Sequence, residues 1–413
     1  MTQEAKTLLD RIEALAPQIA ERSREIEAIR NLPGDIVSAL RDAGLFRMFA
    51  PKHYGGMELD LPTGVDVLRR LARVDSAVGW TATISSGSAI AAPLLPRPTL
   101  DEIYRQPDVV MAGSTQPTAR AERVPRGWRA GGRWPFVSGC RHADWIAGFC
   151  IMHENERPLP DPHATDGRPL IMGFVLPASA WEIEDSWHAA GLGGTGSHHI
   201  VLKERIVSAA NFLDLAHGTP CEHGPLYRAP WHMLVLLPPV VAVGIAEGAL
   251  DALVQVAKTG RRQLRAATAM QDSEVFRYEL GRAAAEIRTA RLALEAQVKL
   301  HWAHACADSL RNDARFIEGL QVGLQVAETC RRATEACYLL GGAGAVYLDS
   351  PLQQRLRDIM VVSQHYVMQA RQYTGVGAAL LAEGDARSPA PEPVAVPPED
   401  PKAEDPKVAR LRA

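Results

Sequence analysis

The sequence predicts an α+β protein that is mostly α, with a helical N-terminal domain, a central antiparallel β-sheet or barrel and a C-terminal four-helix bundle. Three patterns in the 413 residues predict this fold class. Apolar residues recur at helical spacing up to about residue 110. Short β-like runs separated by turn residues follow from about 111 to 210. Helical spacing then returns over four long segments from about 225 to 384.

These changes of pattern divide the chain into domains at residues 1–110, 111–224 and 225–385. The remaining tail, 386–413, contains seven prolines among acidic and basic residues. Such a composition buries too little apolar surface to order itself, so we expect the tail to be disordered.

In the N-terminal domain, the stripe formed by Leu8, Ile12, Ile19 and Ile26 predicts one amphipathic helix over 3–30. Further helices are expected over 35–45, 62–74 and 75–91.

In the β region, Gly131-Gly132 predicts the turn of a hairpin that spans 127–134. Other strands are expected at 144–152, 169–176, 180–187 and 198–207. The four helices of the bundle are expected near 229–259, 272–309, 313–340 and 350–383.

Composition and charge argue against several classes of function. A formal net charge of -3 gives no basic excess of the kind that nucleic-acid binding needs. The N-terminus has no basic run leading into an apolar segment, so we expect no secretory signal. The most apolar stretch, Met233–Val243, is too short to span a membrane. The six cysteines form no CxxC pair, which is typical of reduced thiols in a cytoplasmic protein.

The most informative stretch is Arg357-Asp358 followed by His365. The apolar spacing of Leu352 and Leu356 continues through this stretch and predicts one helix, on which His365 lies two turns beyond the Arg-Asp pair. An imidazole changes charge near neutral pH and is therefore a candidate general acid or base. A histidine satisfied within the core is the competing interpretation.

No metal site is expected. His301 and His304 share a helix face, and His198 and His199 are adjacent on a strand. Neither pair has an acidic or cysteine partner at metal-ligand spacing. The glycine-rich segment Gly191–Ser197 lies between two predicted strands, so it does not match a phosphate-binding loop, which precedes a helix.

Several further motifs, each weak alone, occur together in a consistent order. They are Pro51–Gly56, Asp75–Trp80, Gly132–Gly139, Gly191–Ser197, Gly341–Gly344 and Arg357–His365. On these motifs the chain resembles the acyl-CoA dehydrogenase superfamily from about residue 5 to about 384. It more closely resembles the flavin-dependent monooxygenases that share that fold.

The residues favour the monooxygenase branch of this resemblance. An acyl-CoA dehydrogenase needs a carboxylate base to take the α-proton of a thioester, and neither 359–374 nor 225–240 contains an Asp or Glu. His365 instead stands where the resemblance implies the histidine of the monooxygenases.

The resemblance implies the oxygenase component of a two-component system. A separate NAD(P)H-dependent flavin reductase would supply reduced flavin, FMNH2 or FADH2. Reaction with O2 would give a C4a-hydroperoxide that hydroxylates an aromatic, phenolic or polycyclic substrate. His365 would then take the phenol proton, and Ser138 would donate a hydrogen bond near flavin N5. A cytoplasmic homotetramer without nucleic-acid or membrane partners is also implied.

The resemblance assigns further residues to the site. The implied flavin-binding residues are Ser114, Trp134, Ser138, Thr195, Ser197, Arg261, Gly341 and Gly342. Trp80 joins His365 at the substrate. Gly193 and Gly194 replace an arginine that relatives commonly carry.

Alternatives stay open on the sequence alone. The enzyme classes are an acyl-CoA dehydrogenase with a displaced base and an N- or S-oxygenase on the same scaffold. A non-catalytic scaffold is the alternative from a different class. Ser138 could be an ordinary solvated strand hydroxyl, and Arg261 a solvated helix end.

Overall fold

A computed structural model describes residues 2–164 and 166–382. Residues up to Val376 belong to one unit. A second unit begins at Gly377, and the structure describes it only to Ala382, the end of the last helix. The proline-rich tail predicted at 386–413 lies outside the described residues.

Six helices form the described N-terminal region. They are α1 (Gln3–Glu21), α2 (Ser23–Ile29), α3 (Gly34–Ala43), α4 (Leu61–Val74), α5 (Ser76–Ala91) and α6 (Arg97–Ile103). The single helix predicted over 3–30 is therefore two helices, because the backbone leaves helical geometry at Arg22 (φ -99°, ψ 6°). The bend allows Ile19 on α1 and Ile26 on α2 both to be buried.

The start of α5 is fixed by its N-cap. The Asp75 carboxylate accepts hydrogen bonds of 2.9 Å from the backbone N–H groups of Ala77 and Val78. These bonds satisfy amides that have no partner inside the helix. They also fix the first turns of α5, which carry Trp80.

The middle of the chain forms one eight-stranded sheet. Its strands are β1 (Met111–Val124), β2 (Gly127–Val137), β3 (Trp145–Glu154), β4 (Arg157–Pro158), β5 (Ile171–Pro177), β6 (Glu182–Glu184), β7 (His198–Val207) and β8 (Phe212–Leu213). The order is β6-β7-β2-β1-β3-β5-β8, with β4 paired to β3. The pairs are antiparallel except β1 with β3, which is parallel.

The predicted Gly-Gly hairpin turn is wrong. The β1–β2 hairpin turns after Val124, which pairs with Gly127. Gly131 and Gly132 instead lie inside β2, where the register against β7 shifts between Ala130 and Gly132. Gly132 has φ +153° there, a conformation that favours glycine at a bulge.

The C-terminal region is helical. Its helices are α7 (Pro230–Leu234), α8 (Leu237–Lys258), α9 (Glu274–Cys306), α10 (Asp313–Leu340), α11 (Pro351–Val362) and α12 (Tyr373–Ala382). The stretch Pro230–Lys258 is long and apolar enough to cross a membrane, whereas the sequence analysis took only Met233–Val243 as apolar and judged it too short. In the most apolar part of this stretch 89% of the residues are buried inside the protein, as in the core helix of a folded domain.

The helix predicted over 350–383 is also wrong, because α11 ends at Val362. The amides of Gln364 and His365 turn back onto the carbonyls of Val361 and Val362 at 3.0 Å, a tight closing turn. His365 itself has extended backbone geometry (φ -62°, ψ 140°) and precedes a short 3₁₀ turn. It therefore follows the helix instead of lying on it.

Candidate active site

A cavity of about 370 Å³ lies where α5 faces the sheet and the segment after α11. Aromatic side chains form much of its wall, among them Trp80, Trp145, Phe149, Trp187 and Trp231. Its size and apolar wall are typical of sites for small organic molecules.

One face of α5 forms a continuous side of the cavity. The residues on this face are Trp80, Thr83, Ile84, Gly87, Ser88 and Ala91, which recur at helical spacing. Trp80 was expected from the sequence, and the other five were not. The run of small residues at this spacing was the available signal, because small side chains on one helix face leave room for a ligand.

The cavity face of β3 carries Trp145, Ala147 and Phe149. Gly148 points to the other face, where a Cβ would lie 2.9 Å from the indole of Trp134. Trp134 is fully buried there, and its Nε1 donates to the Phe149 carbonyl at 2.7 Å. Trp134, expected at the flavin, thus lies in the sheet core and is absent from the cavity wall.

A chain of hydroxyl groups begins in the cavity wall, at Ser138 and Ser197, and continues into the protein. Trp80 Nε1 donates to Ser138 Oγ at 2.9 Å, and Ser138 Oγ lies 2.7 Å from Ser197 Oγ. Ser197 Oγ lies 2.7 Å from Thr195 Oγ1, which donates to the Leu192 carbonyl at 2.8 Å. Ser138, Ser197 and Thr195, expected together from the sequence, are thus brought together.

The direction of these bonds follows from counting protons. Thr195 has one hydroxyl proton and gives it to Leu192, so Ser197 must donate to Thr195, and Ser138 to Ser197. Ser138 therefore has no proton left for a donor role toward the cavity. It retains acceptor capacity, because a hydroxyl oxygen has two lone pairs and Trp80 uses one.

The backbone around Ser138 is strained. Phe136 is exposed and has φ +62°, a conformation that bulky side chains rarely adopt. The Ser138 N–H closes a tight turn onto the Phe136 carbonyl at 3.1 Å, and Gly139 follows with φ +71°. This turn directs Ser138 away from the strand and toward α5.

The loop at Leu192 is held by Asp358, the acid of the Arg-Asp pair. The Leu192 N–H donates to the Asp358 carboxylate at 2.6 Å, and Leu192 has φ +53°. Burial raises the pKa of Asp358 to about 6. The Leu192 carbonyl also accepts from Trp187 Nε1 at 3.0 Å, so hydrogen bonds hold both the N–H and the C=O of Leu192.

Arg357 holds the same loop from the other direction. Its Nη1 donates to the Ala190 carbonyl at 2.8 Å and pairs with Glu27 on α2. Gly191 lies so close to the backbone of Arg357 that a Cβ would overlap its carbonyl group. The Arg-Asp pair therefore positions a loop of the cavity wall.

His365 lines the cavity beside Trp80. The two rings meet edge to face, with centroids 5.3 Å apart. Burial lowers the pKa of His365 to about 4, so the imidazole is neutral at pH 7. Its Nδ1 is shielded from solvent and has no hydrogen-bond partner among the described residues. Such an atom is rare in folded proteins.

Ser114 also lines the cavity, near the start of β1. Its Oγ accepts from the N–H of Gln116 at 3.4 Å, and the β1–β3 register shifts directly after Ser114. Ser114 was expected from the sequence to bind the flavin, and it does line the cavity.

Arg261, Gly341 and Gly342 do not line this cavity. They lie where the segment after α8 meets the loop after α10. There Arg261 packs against Gly344 so closely that a Cβ on the glycine would overlap the guanidinium. The Gln263 side chain reinforces this contact by donating to the Leu340 carbonyl at 3.3 Å.

Comparisons with known proteins identify the family. The acyl-CoA dehydrogenase N-terminal domain model matches residues 2–97, and the C-terminal domain model matches residues 237–370.

Three relatives carry more specific names. The chain is 31% identical to an indole-3-acetate monooxygenase from Pseudomonas putida over 89% of this chain and 92% of the relative. It is 29% identical to the oxygenase subunit HsaA of a flavin-dependent monooxygenase from Mycobacterium tuberculosis, over 86% of this chain and 90% of that one. A solved structure, XiaF from Streptomyces sp. in complex with FADH2 and glycerol, superposes with a TM-score of 0.83 at 25% identity, covering 94% of this chain and 97% of XiaF.

The fold, the cavity and these relatives agree: the chain belongs to the flavin-dependent monooxygenases of the acyl-CoA dehydrogenase superfamily.

Proposed function

We propose that the chain is the oxygenase component of a two-component system and hydroxylates an aromatic substrate, a phenol or an indole, in the cavity beside α5. The observation that carries this proposal is His365. It places a neutral imidazole in a wall that is otherwise mostly aromatic and aliphatic.

The residues fit a reduced flavin. When bound, reduced flavin supplies the electrons that activate O2 and passes one oxygen atom to the substrate. Ser138 would accept a hydrogen bond from the N–H that reduced flavin carries at N5, using the lone pair that Trp80 leaves free. This differs from the donor role expected from the sequence. Ser114 and Ser197 would contribute further polar contacts, and the apolar wall would keep water out.

His365 would receive the proton of a phenol hydroxyl. A neutral imidazole can accept a proton, and removing the proton makes the aromatic ring more nucleophilic. Trp80 would hold the imidazole ring in place through the edge-to-face contact. The described lining contains no Asp or Glu that could act as a dehydrogenase base.

Arg261 with the loop Gly341–Gly344 would bind a flavin phosphate or ribose from a neighbouring subunit of a homotetramer. The proposal is supported by large apolar side chains exposed nearby, at Leu339, Val346, Tyr347 and Leu348. In a separate chain such a surface would be costly, whereas an interface would bury it. A separate flavin reductase would supply the reduced flavin.

The test is oxygen incorporation. Reduced FMN or FAD would be generated continuously by an added reductase under ¹⁸O2, with a panel of phenols and indoles. We expect a product that contains one ¹⁸O atom. Absence of labelled product from the whole panel, together with anaerobic flavin reduction by an acyl-CoA, would contradict the proposal and favour a dehydrogenase.

A further inference from the structure

The charge of the cavity wall limits the substrate further, on the basis of the function proposed above. Among the described lining residues none is Lys, Arg, Asp or Glu. We propose that the cavity selects uncharged aromatic molecules and rejects aromatic molecules that carry a carboxylate, such as arylacetates. The substrate would then lack the carboxylate that gives the indole-3-acetate monooxygenases their name.

The interior of the cavity offers a carboxylate few hydrogen-bond donors. The hydroxyls of Thr83 and Ser88 donate to helix carbonyls at 2.7 and 2.9 Å. The hydroxyl protons of Ser138 and Ser197 are used within the hydroxyl chain. Since the low pKa keeps His365 neutral at pH 7, the imidazole supplies no positive charge either.

The more exposed part of the cavity is also uncharged. Its exposed lining residues are Thr115, Gln116, Phe136, Gln364 and Tyr366. Two cations contact lining residues without lining the cavity themselves: the Arg371 guanidinium lies 5.8 Å from the Tyr366 ring centroid, and Arg30 donates to the Trp187 carbonyl at 3.1 Å. A carboxylate would therefore lose its hydration without gaining a cation, which is unfavourable in an apolar site.

Binding can be measured without turnover. We would titrate the flavin-loaded protein anaerobically and measure the heat of binding by isothermal titration calorimetry. The probes are matched pairs that differ in charge but hardly in shape: indole-3-acetate with indole-3-acetamide, and 4-hydroxyphenylacetate with its amide. At pH 7.5 we expect the amide of each pair to bind roughly ten- to a hundredfold more tightly.

Equal or tighter binding of the carboxylates would overturn the inference. Failure of both amides to bind would do so too, because the cavity must accept an uncharged aromatic ring. The variant Arg371→Ala should leave the ratio within each pair unchanged. Carboxylate binding that depends on Arg371 would show that this cation reaches the ligand and would also overturn the inference.

These outcomes differ from failure of the proposed function. If the carboxylates bind best and are hydroxylated with ¹⁸O, the oxygenase function stands and the inference of an uncharged substrate fails. If the amides bind best but no labelled product forms from any substrate, the inference about the cavity stands and the oxygenase function fails.

Discussion

Trp80 connects the two residues with proposed chemical roles. Its indole N–H bonds to Ser138, and its ring contacts His365. It therefore orients the acceptor proposed for the flavin and the imidazole proposed for the substrate. Because one side chain performs both tasks, substitutions can separate them.

The variant Trp80→Phe keeps an aromatic ring beside His365 and removes the hydrogen bond to Ser138. A hydrogen bond of this kind contributes about 1 kcal/mol, so we expect the oxygenated-flavin transient to decay roughly fivefold faster, with substrate affinity little changed. Stopped-flow absorbance measures the decay. Trp128→Phe, the same chemical change in the sheet core, is the matched control and should behave as wild type.

A double-mutant cycle gives this prediction a second readout. Ser138→Ala should shorten the transient at least as much, because it removes the proposed acceptor for flavin N5 as well as the bond to Trp80. The double variant should lose no more than Ser138→Ala alone, because Trp80 acts on the flavin through Ser138. Fully additive effects of the two substitutions would contradict the proposed connection through Trp80.

At this scale the sequence identified half of the eight lining residues that carry hydroxyl or imidazole groups, together with Trp80. His365, Ser138, Ser197, Ser114 and Trp80 all lie at the cavity. The roles assigned to them remain predictions. Local sequence could not supply the direction of the hydroxyl chain, because that direction depends on Thr195 donating to the Leu192 carbonyl.

Among the structural elements, the loop between β6 and β7 depends on α11 for its shape. Asp358 binds the Leu192 amide, Arg357 binds the Ala190 carbonyl, and Gly191 allows the two backbones to approach. The Arg-Asp motif therefore acts by positioning the cavity wall that contains Leu192 and Ser197.

The variant Gly191→Ala should disrupt this contact. Its Cβ would overlap backbone atoms of Arg357, which cannot rotate away, so we expect the free energy of unfolding to fall by about 1–3 kcal/mol. Urea denaturation provides the measurement. Gly281→Ala on α9 is the control: no atom lies within 4 Å of the added Cβ, and helix propensity predicts a gain of roughly 0.5–1 kcal/mol. If both alanine substitutions changed the free energy of unfolding alike, the close approach of Gly191 to the Arg357 backbone would be refuted.

Two elements differ from the sequence expectation for identifiable reasons. The Gly131-Gly132 pair serves a bulge within β2, and glycine composition alone does not distinguish a bulge from a hairpin turn. The end of α11 at Val362 has no proline or glycine to signal it. Backbone hydrogen bonds close the turn there, and these depend on packing that periodicity does not record.

For the molecule as a whole, buried histidines affect stability toward acid. His301 is fully buried, and burial lowers its pKa to about 4, assisted by the positive potential of His232, His304 and Arg315. Its Nδ1 lies 3.0 Å from the Gln297 amide nitrogen, which donates to it. The unfolded chain binds a proton at this site near pH 6.5, and the folded protein does so only near pH 4.

Between pH 6.5 and pH 4 the unfolded state therefore holds more protons, so the free energy of unfolding should fall as the pH falls. From pH 7 to pH 4.5 we expect His301 to account for about 2 kcal/mol of the loss. The variant His301→Asn should lose correspondingly less over the same range in urea titrations. His223→Asn, at an exposed position, should keep the wild-type pH dependence. An unchanged pH dependence in His301→Asn would contradict the assignment.

The architecture at this scale was largely predictable. The order of helices, sheet and helices follows from changes in apolar periodicity, and the acyl-CoA dehydrogenase fold was expected and confirmed. The central helix was expected near 229–259, but the apolar stretch within it was taken as only Met233–Val243, because its prolines were counted as interruptions. Pro238 and Pro239 lie in the first turn of α8, where proline is tolerated.

The central claim is that His365 takes the substrate proton and is not needed to activate oxygen. The most direct test is double-mixing stopped flow on wild type and His365→Ala. Each protein is loaded anaerobically with reduced flavin and mixed first with oxygenated buffer, then with a phenol that wild type hydroxylates. Both proteins should form the oxygenated-flavin transient at similar rates. In the variant, hydroxylation should fall by roughly 10²–10⁴-fold while hydrogen peroxide release rises. Hydroxylation by His365→Ala at the wild-type rate would contradict the account.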